Sequence, residues 1–186
     1  YSRSGFRVGF QGTVIRGEDM LFTSEGMSDV HPITDPSEIV SSIVRQLEWA
    51  SRTASVETKS MRVILMPSAV PSILLNPLLA GLSGKTVLQG TSPLIGKIGE
   101  RILDERFTLI DDSTQPWVPA SSPSDDECVP SQRLPLIERG RVGMFLYDLQ
   151  TAGLADTQST GSGERGLGSL PSPSSGVLSV GLGDRT

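Results

Sequence analysis

The chain has 186 residues, enough for one domain with a sizeable core or two small ones, and its 37% apolar share excludes a disordered polymer. Its 16 basic against 21 acidic residues give a net charge of -5, and no basic stripe is present, which argues against direct DNA or RNA contact. The 20 Gly and 13 Pro beside 5% aromatics predict many turns and short strands rather than a helical bundle.

A single cysteine, Cys128, cannot form an internal disulfide and fits a reducing compartment. No stretch approaches the roughly 20 apolar residues that span a bilayer, and no signal peptide opens the chain, so a cytoplasmic protein without membrane contact is expected. The chain opens at Tyr1 inside strand-like sequence and stops just after the apolar stretch Val177 to Leu182, which predicts a piece of a longer protein.

In chain order, residues 5 to about 23 alternate loosely between apolar and polar, with Gly9, Gly12 and Gly17, and predict one or two short strands. Asp35-Pro36-Ser37-Glu38 has the form of a capping box with proline at the first helical position. Ile39, Ile43, Leu47, Ala50 and Ala54 follow on one face, with Val40 and Val44 widening the stripe, so an amphipathic helix is expected. The continuous apolar run Met61 to Met66 predicts a buried strand. Residues 68 to 82 are Leu-rich but carry Pro71 and Pro77, which predicts a broken or kinked helix.

Residues 93 to 103 predict a second short helix, and Phe107 to Ile110 a strand ending in Asp111-Asp112. The Pro-, Ser- and Asp-rich stretch from 112 to 132 is a long loop. Leu134 to Ile137 and Val142 to Leu146 flank Glu138-Arg139-Gly140-Arg141 as a hairpin with glycine in its turn. Residues 156 to 176 are again rich in Gly, Ser and Pro. Short strands with interspersed helices give a strand-dominated α+β class.

Few residues carry obvious chemistry. A zinc hydrolase needs about three converging His, Cys, Asp or Glu ligands, whereas His31 and Cys128 are the only members of their kinds and lie far apart in sequence. Cys128 follows Asp125-Asp126-Glu127, and close negative neighbours disfavour the thiolate a nucleophile needs. No Gly-x-Ser-x-Gly elbow is present. Ser83-Gly84-Lys85-Thr86 resembles the tail of a phosphate loop, but the pattern needs glycine where Leu79 stands, and Val87-Leu88-Gln89 reads as extended rather than helical. The clusters Asp111-Asp112 and Asp125-Asp126-Glu127 offer oxygen ligands or acid–base pairs at no known loop spacing, and solvated loop acids, or caps for backbone donors, are the default reading.

From about residue 61 onward the order of motifs resembles the C-terminal domain of the TldD/PmbA family. The matching elements are Val63-Ile64-Leu65, an apolar helix ending in Leu82-Ser83-Gly84, Gly90-Thr91-Ser92-Pro93-Leu94 and Gly96-Lys97-Ile98-Gly99. They continue with Phe107 to Asp112, then Asp125-Asp126-Glu127-Cys128-Val129-Pro130, where Cys128 replaces the usual glycine. Leu136 to Gly140 and Ser159-Thr160-Gly161-Ser162-Gly163 complete the series.

The resemblance implies an α+β fold, mainly twisted antiparallel sheet arranged like an open barrel, with residues 1–60 as the end of an N-terminal or inter-domain region and 61–186 as the C-terminal domain, truncated at its C-terminus. In the TldD branch the apolar helix carries His-Glu-x-x-x-His, which binds zinc and supplies the general base. Those positions fall near Leu75, Asn76 and Ala80 here, none of which can do that work. The resemblance therefore implies no catalytic or metal-binding residue and no cofactor in this chain. It implies instead a TldE/PmbA-like subunit that pairs with a zinc-bearing TldD-like subunit to process unfolded or extended peptides.

Asp111, Asp112, Asp125, Asp126, Glu127, Thr160 and Gly161 are its family-motif loop residues, with no role assigned from sequence. Two other readings are a self-sufficient hydrolase using Cys128 or the acidic loops, and a purely structural, self-associating sheet domain.

Overall fold

A computed structural model of the chain describes residues 4–181. The chain divides into two compact units, one reaching Ser68 and the other starting at Ala69.

The first unit is a hairpin with a helix on one face. Strands β1 (Phe6–Arg16) and β2 (Asp19–Asp29) pair antiparallel without a break, from Phe6 opposite Asp29 to Arg16 opposite Asp19. Both are longer than the sequence suggested. Gly17, at φ 62°, supplies the positive φ that a two-residue hairpin turn requires.

Helix α1 (Ser37–Ala50) buries Ile39 and Ile43. It approaches the hairpin so closely that a Cβ on Gly12 would lie 2.7 Å from Ile43 Cγ2 and 2.9 Å from Leu47 Cδ1. Polar ties join helix to hairpin: Thr23 Oγ1 donates to Gln46 Oε1 at 2.6 Å, and Gln46 Nε2 donates to Glu25 Oε1 at 2.6 Å. The expected capping box does not form: Pro36 is the N-cap residue, with no side-chain cap, and Asp35 accepts the Ser37 amide at 2.9 Å just before the helix. The apolar stripe is narrower than expected, because Val40 and Val44 are exposed and Ala54 lies past the helix end.

Met61 to Met66 is not a buried strand. It forms no ladder with any described residue, and Val63 and Ile64 are 70% and 90% exposed. A continuous apolar run signals a demand for cover on both faces but does not supply the neighbouring strand.

The second unit opens with a π-helical turn (Pro71–Leu75) that runs into α2 (Asn76–Leu82). This is the interrupted helix that the two prolines predicted. Ser83, with ψ 126°, breaks the direction, and α3 (Gly84–Leu88) follows.

The main sheet is antiparallel throughout, in the order β5-β4-β3-β8, with β3 Leu109–Asp112, β4 Arg133–Glu138, β5 Arg141–Val142 and β8 Leu178–Val180. Arg139 and Gly140, at φ 49° and 74°, make the β4–β5 turn. Leu82, Leu109, Leu136, Ile137, Val142 and Leu146 are almost wholly buried and join α2 to this sheet in one core.

A short helix, α4 (Leu149–Leu154), and the two-residue pair β6 (Gly163–Glu164) and β7 (Ser172–Pro173) complete the unit. The class is α+β with open antiparallel sheets, and no closed barrel forms among the described residues.

Residues 93 to 103 are turns rather than the expected helix. Gly96 and Gly99 sit at φ 73° and 82°, a left-handed backbone that a right-handed helix cannot contain. Ile98 and Arg101 instead bridge to Val142 and Arg141.

Candidate functional site

Three acidic residues of the 112–132 loop act as acceptors for backbone donors. Asp125 Oδ1 accepts the amides of Glu127 at 3.0 Å and Val129 at 2.9 Å, while its Oδ2 accepts that of Gly163 at 2.8 Å. Asp126 Oδ2 accepts the Arg165 amide at 2.9 Å, and the Asp126 amide donates to Gly163 O at 2.9 Å. Glu127 Oε2 accepts the amide of Leu149, the first residue of α4, at 2.7 Å.

The three side chains thus clasp the loop to the Gly163–Arg165 segment and to α4. Charge-assisted bonds of this kind are about twice as strong as neutral ones. The fit is close: a Cβ on Gly163 would collide with the Glu127 carboxylate.

Cys128 lies in the same turn, exposed, with φ 62°. Only glycine adopts that backbone without cost. The turn therefore accounts for the glycine that the motif usually carries there. His31 lies in the other unit, its ring bonded to Asp29 Oδ1 at 3.1 Å.

Asp111 and Asp112 have separate duties. Asp111 points inward from β3, is buried, and accepts the Gly176 amide on both oxygens at 3.1 and 3.0 Å. Burial raises its pKa, opposed by the Gly176 and Val177 amides and reinforced by the negative charges of Asp112 and Glu164. Asp112 faces the other way and takes the Thr114 amide and hydroxyl on Oδ1, at 3.1 and 2.5 Å.

Thr160 is buried beside Tyr147. Its hydroxyl accepts the Tyr147 amide at 2.8 Å and lies 2.9 Å from Ser162 Oγ, and its own amide donates to Tyr147 O at 3.0 Å. Gly161, at φ 69°, passes so near the loop that a Cβ would sit 2.5 Å from Pro130 O. The structure therefore brings Asp125, Asp126, Glu127 and the Thr160–Gly161 segment together, and holds Asp111 and Asp112 at a separate fastening on β3.

Val87 and Leu88 are helical rather than extended, since they lie within α3, which begins at Gly84 of the Ser83–Thr86 segment. That segment still has no room to cradle a phosphate. The Gly84 amide donates to Leu146 O at 2.7 Å, and a Cβ on Gly84 would strike the Tyr147 ring. On the preceding helix Leu75 is buried while Asn76 and Ala80 are exposed. Leu75 and Ala80 have no lone pair for a metal, and Asn76 is no carboxylate base, so these side chains do not fit a zinc ion. Among the described residues, no three His, Cys, Asp or Glu side chains lie close enough to share a metal.

Sequence reasoning missed Asp148, buried at the N-terminus of α4. Asp148 Oδ1 accepts the Thr151 amide at 2.7 Å and the Thr151 hydroxyl at 2.6 Å, and the Asp148 amide donates back to Thr151 Oγ1 at 3.2 Å. The Asp-x-x-Thr spacing carries that reciprocal cap and was the available signal.

Residues 58–186 match the family model described as the PmbA/TldA metallopeptidase C-terminal domain. The chain belongs to the TldD/PmbA family. It is 36% identical over 143 residues to an uncharacterised protein of Methanocaldococcus jannaschii, covering 76% of this chain and 34% of that one. It is 36% identical over 112 residues to a metalloprotease TldD homolog of Buchnera aphidicola subsp. Schizaphis graminum, covering 59% of this chain and 23% of the other.

Among solved TldD/PmbA-type structures, TldE from Thermococcus kodakarensis superposes with a TM-score of 0.87 at 27% identity, over 98% of this chain and 42% of that one. A protein described as a modulator of DNA gyrase, from Thermotoga maritima, gives a TM-score of 0.69 at 25% identity, over 90% of this chain and 39% of its own. The chain thus spans about a third or less of these curated relatives and about two fifths of these solved structures.

Proposed function

We propose that this chain acts as the zinc-less, TldE/PmbA-like partner of a zinc-bearing TldD-like subunit, and that the pair processes unfolded or extended peptides in the cytoplasm. The observation that carries this reading is the helix at Leu75, Asn76 and Ala80, where the catalytic branch of the family places His-Glu-x-x-x-His. The fold likeness to the Thermococcus TldE supports it. So does relatedness to chains named as TldD-type metalloproteases.

In such a pair the metal and its activated water belong to the other subunit, and this one contributes surface. An extended peptide can add to a sheet edge through backbone hydrogen bonds, with little demand on its sequence. A cytoplasmic setting agrees with the lone exposed thiol and with the lack, among the described residues, of any helix long and apolar enough to cross a membrane.

The test is purification alone and after co-expression with a His-Glu-x-x-x-His subunit. Alone, the protein holds far less than about one equivalent of zinc per chain, the load expected of a formed site, and leaves unfolded casein intact. Together, the two co-purify and the casein is degraded. Stoichiometric zinc in the isolated chain, or casein cleavage without a partner, overturns the reading.

A further inference from the structure

A cleft of about 220 Å³ opens between α3, α4 and β7. Its walls include Leu88, Leu154, Pro171 and Pro173, with Lys85 and Asp148 as its charged members. Leu88 and Leu154 are 40% and 70% exposed, an apolar surface with no cover among the described residues.

Asp148 is the unusual group. Only 1% of it is exposed, and both of its accepted hydrogen bonds fall on Oδ1, leaving Oδ2 without a donor among the described residues. Oδ2 is not among the buried atoms left without a partner, and Asp148 lines the cleft, so a donor or cation entering there can meet it. Lys85, which also lines the cleft, enters no ion pair among the described residues.

We propose that this cleft binds the α-amino end of an amino acid or peptide. The α-ammonium group sits on Asp148 Oδ2, the neighbouring carbonyl or carboxylate oxygen faces Lys85, and the side chain lies on Leu88, Leu154 and the two prolines. The volume is below the roughly 300–1,000 Å³ of drug-sized pockets and suits a single residue. A negative acceptor and a positive donor in one cleft with apolar lining residues match the charge pattern of an α-amino acid. Capture of terminal amines is an established mode of peptide recognition. The site belongs to this chain alone, so it stands or falls independently of the partner-subunit reading.

The experiment titrates the isolated 186-residue chain with L-leucine, with Leu-Gly-Gly and with N-acetyl-Leu-Gly-Gly, following backbone amide shifts by NMR. Saturable shifts at Leu88, Thr151 and Leu154 are expected from an unblocked probe. Acetylation, which removes the ammonium charge, weakens binding by about tenfold or more, the effect of losing one modest charge-assisted contact.

Asp148→Asn keeps a capping oxygen for Thr151 and lowers affinity to the same degree. Lys85→Gln weakens leucine more than the tripeptide if the free amino acid is the ligand, and affects both equally if a peptide terminus is. Equal binding of the acetylated and free tripeptides, or no shift in the cleft with either unblocked probe at millimolar concentration, overturns the proposal. If Asp148→Asn does not fold, the acetylation comparison on the unaltered protein decides.

Discussion

The Asp125 carboxylate accepts the Gly163 amide at 2.8 Å across 38 residues of chain. The same carboxylate holds two amides of its own turn, so its removal strands three backbone donors at once. Asp125→Ala should destabilise the second unit by about 3 kcal/mol, from the value of charge-assisted bonds and the cost of leaving donors unpaired. Asp125→Asn, with one acceptor oxygen, should fall between. Urea midpoints of the three proteins check the order.

Cys128 occupies a left-handed backbone position at φ 62°. Cys128→Gly relieves a cost of about 1 kcal/mol for a side chain in that region, offset in part by the greater freedom of glycine in the unfolded chain. The variant should therefore melt at an equal or higher temperature, whereas Cys128→Val, with a branched Cβ, should melt lower. A marked loss of stability in the glycine variant would contradict the conformational argument.

At Gly161 both causes of strain coincide: φ is 69° and the added Cβ would meet Pro130 O at 2.5 Å. Gly161→Ala should cost about 2 kcal/mol or more in unfolding free energy. The disturbance should show as amide shifts in Glu127 and Val129, because the loop must move to admit the methyl group.

For Asp111 the prediction concerns pH. Its folded pKa lies above the ordinary carboxylate value of 3.8, with burial as the main cause. The folded state therefore holds this proton more tightly than the unfolded state. The stabilisation is fully present below 3.8 and is lost as pH rises through the higher folded value. In Asp111→Asn this dependence disappears. Subtracting the variant's stability from that of the unaltered protein, between pH 7 and pH 4, should give a difference that moves in favour of aspartate as pH falls. A flat difference would show that Asp111 ionises as it does in the unfolded chain.

Much of the fold was legible because local chemistry and tertiary need agreed. The Ile39/Ile43 spacing marked α1, and Arg139-Gly140 marked the β4–β5 turn. Pro71 and Pro77 marked a disturbed helix, although not that the disturbance is a π turn. Met61 to Met66 misled because apolar character says nothing of whether a partner strand is near, and residues 93 to 103 because apolar spacing outweighed Gly96 and Gly99.

The acidic motif was visible as a motif, read by default as solvated acids or backbone caps, and the structure shows the caps. Its three-way attachment to Gly163, Arg165 and Leu149 was not, since those contacts join positions 22 to 39 residues apart. The family was readable from the order of these short motifs, while Asp148 was passed over because it follows closely on the apolar run Val142 to Leu146, which reads as a strand.

The direction of those attachments has a bearing on how the molecule is made. Every anchor of the acidic loop (Leu149, Gly163 and Arg165) lies C-terminal to the residue that grips it, so a growing chain exposes the acceptors before their donors exist. During synthesis the loop is not fully fastened until Arg165 has cleared the ribosome, and joining positions so far apart carries a loop-closure cost. Nascent chains halted before that point should be cut readily by protease between positions 113 and 132, and chains halted well beyond it should resist.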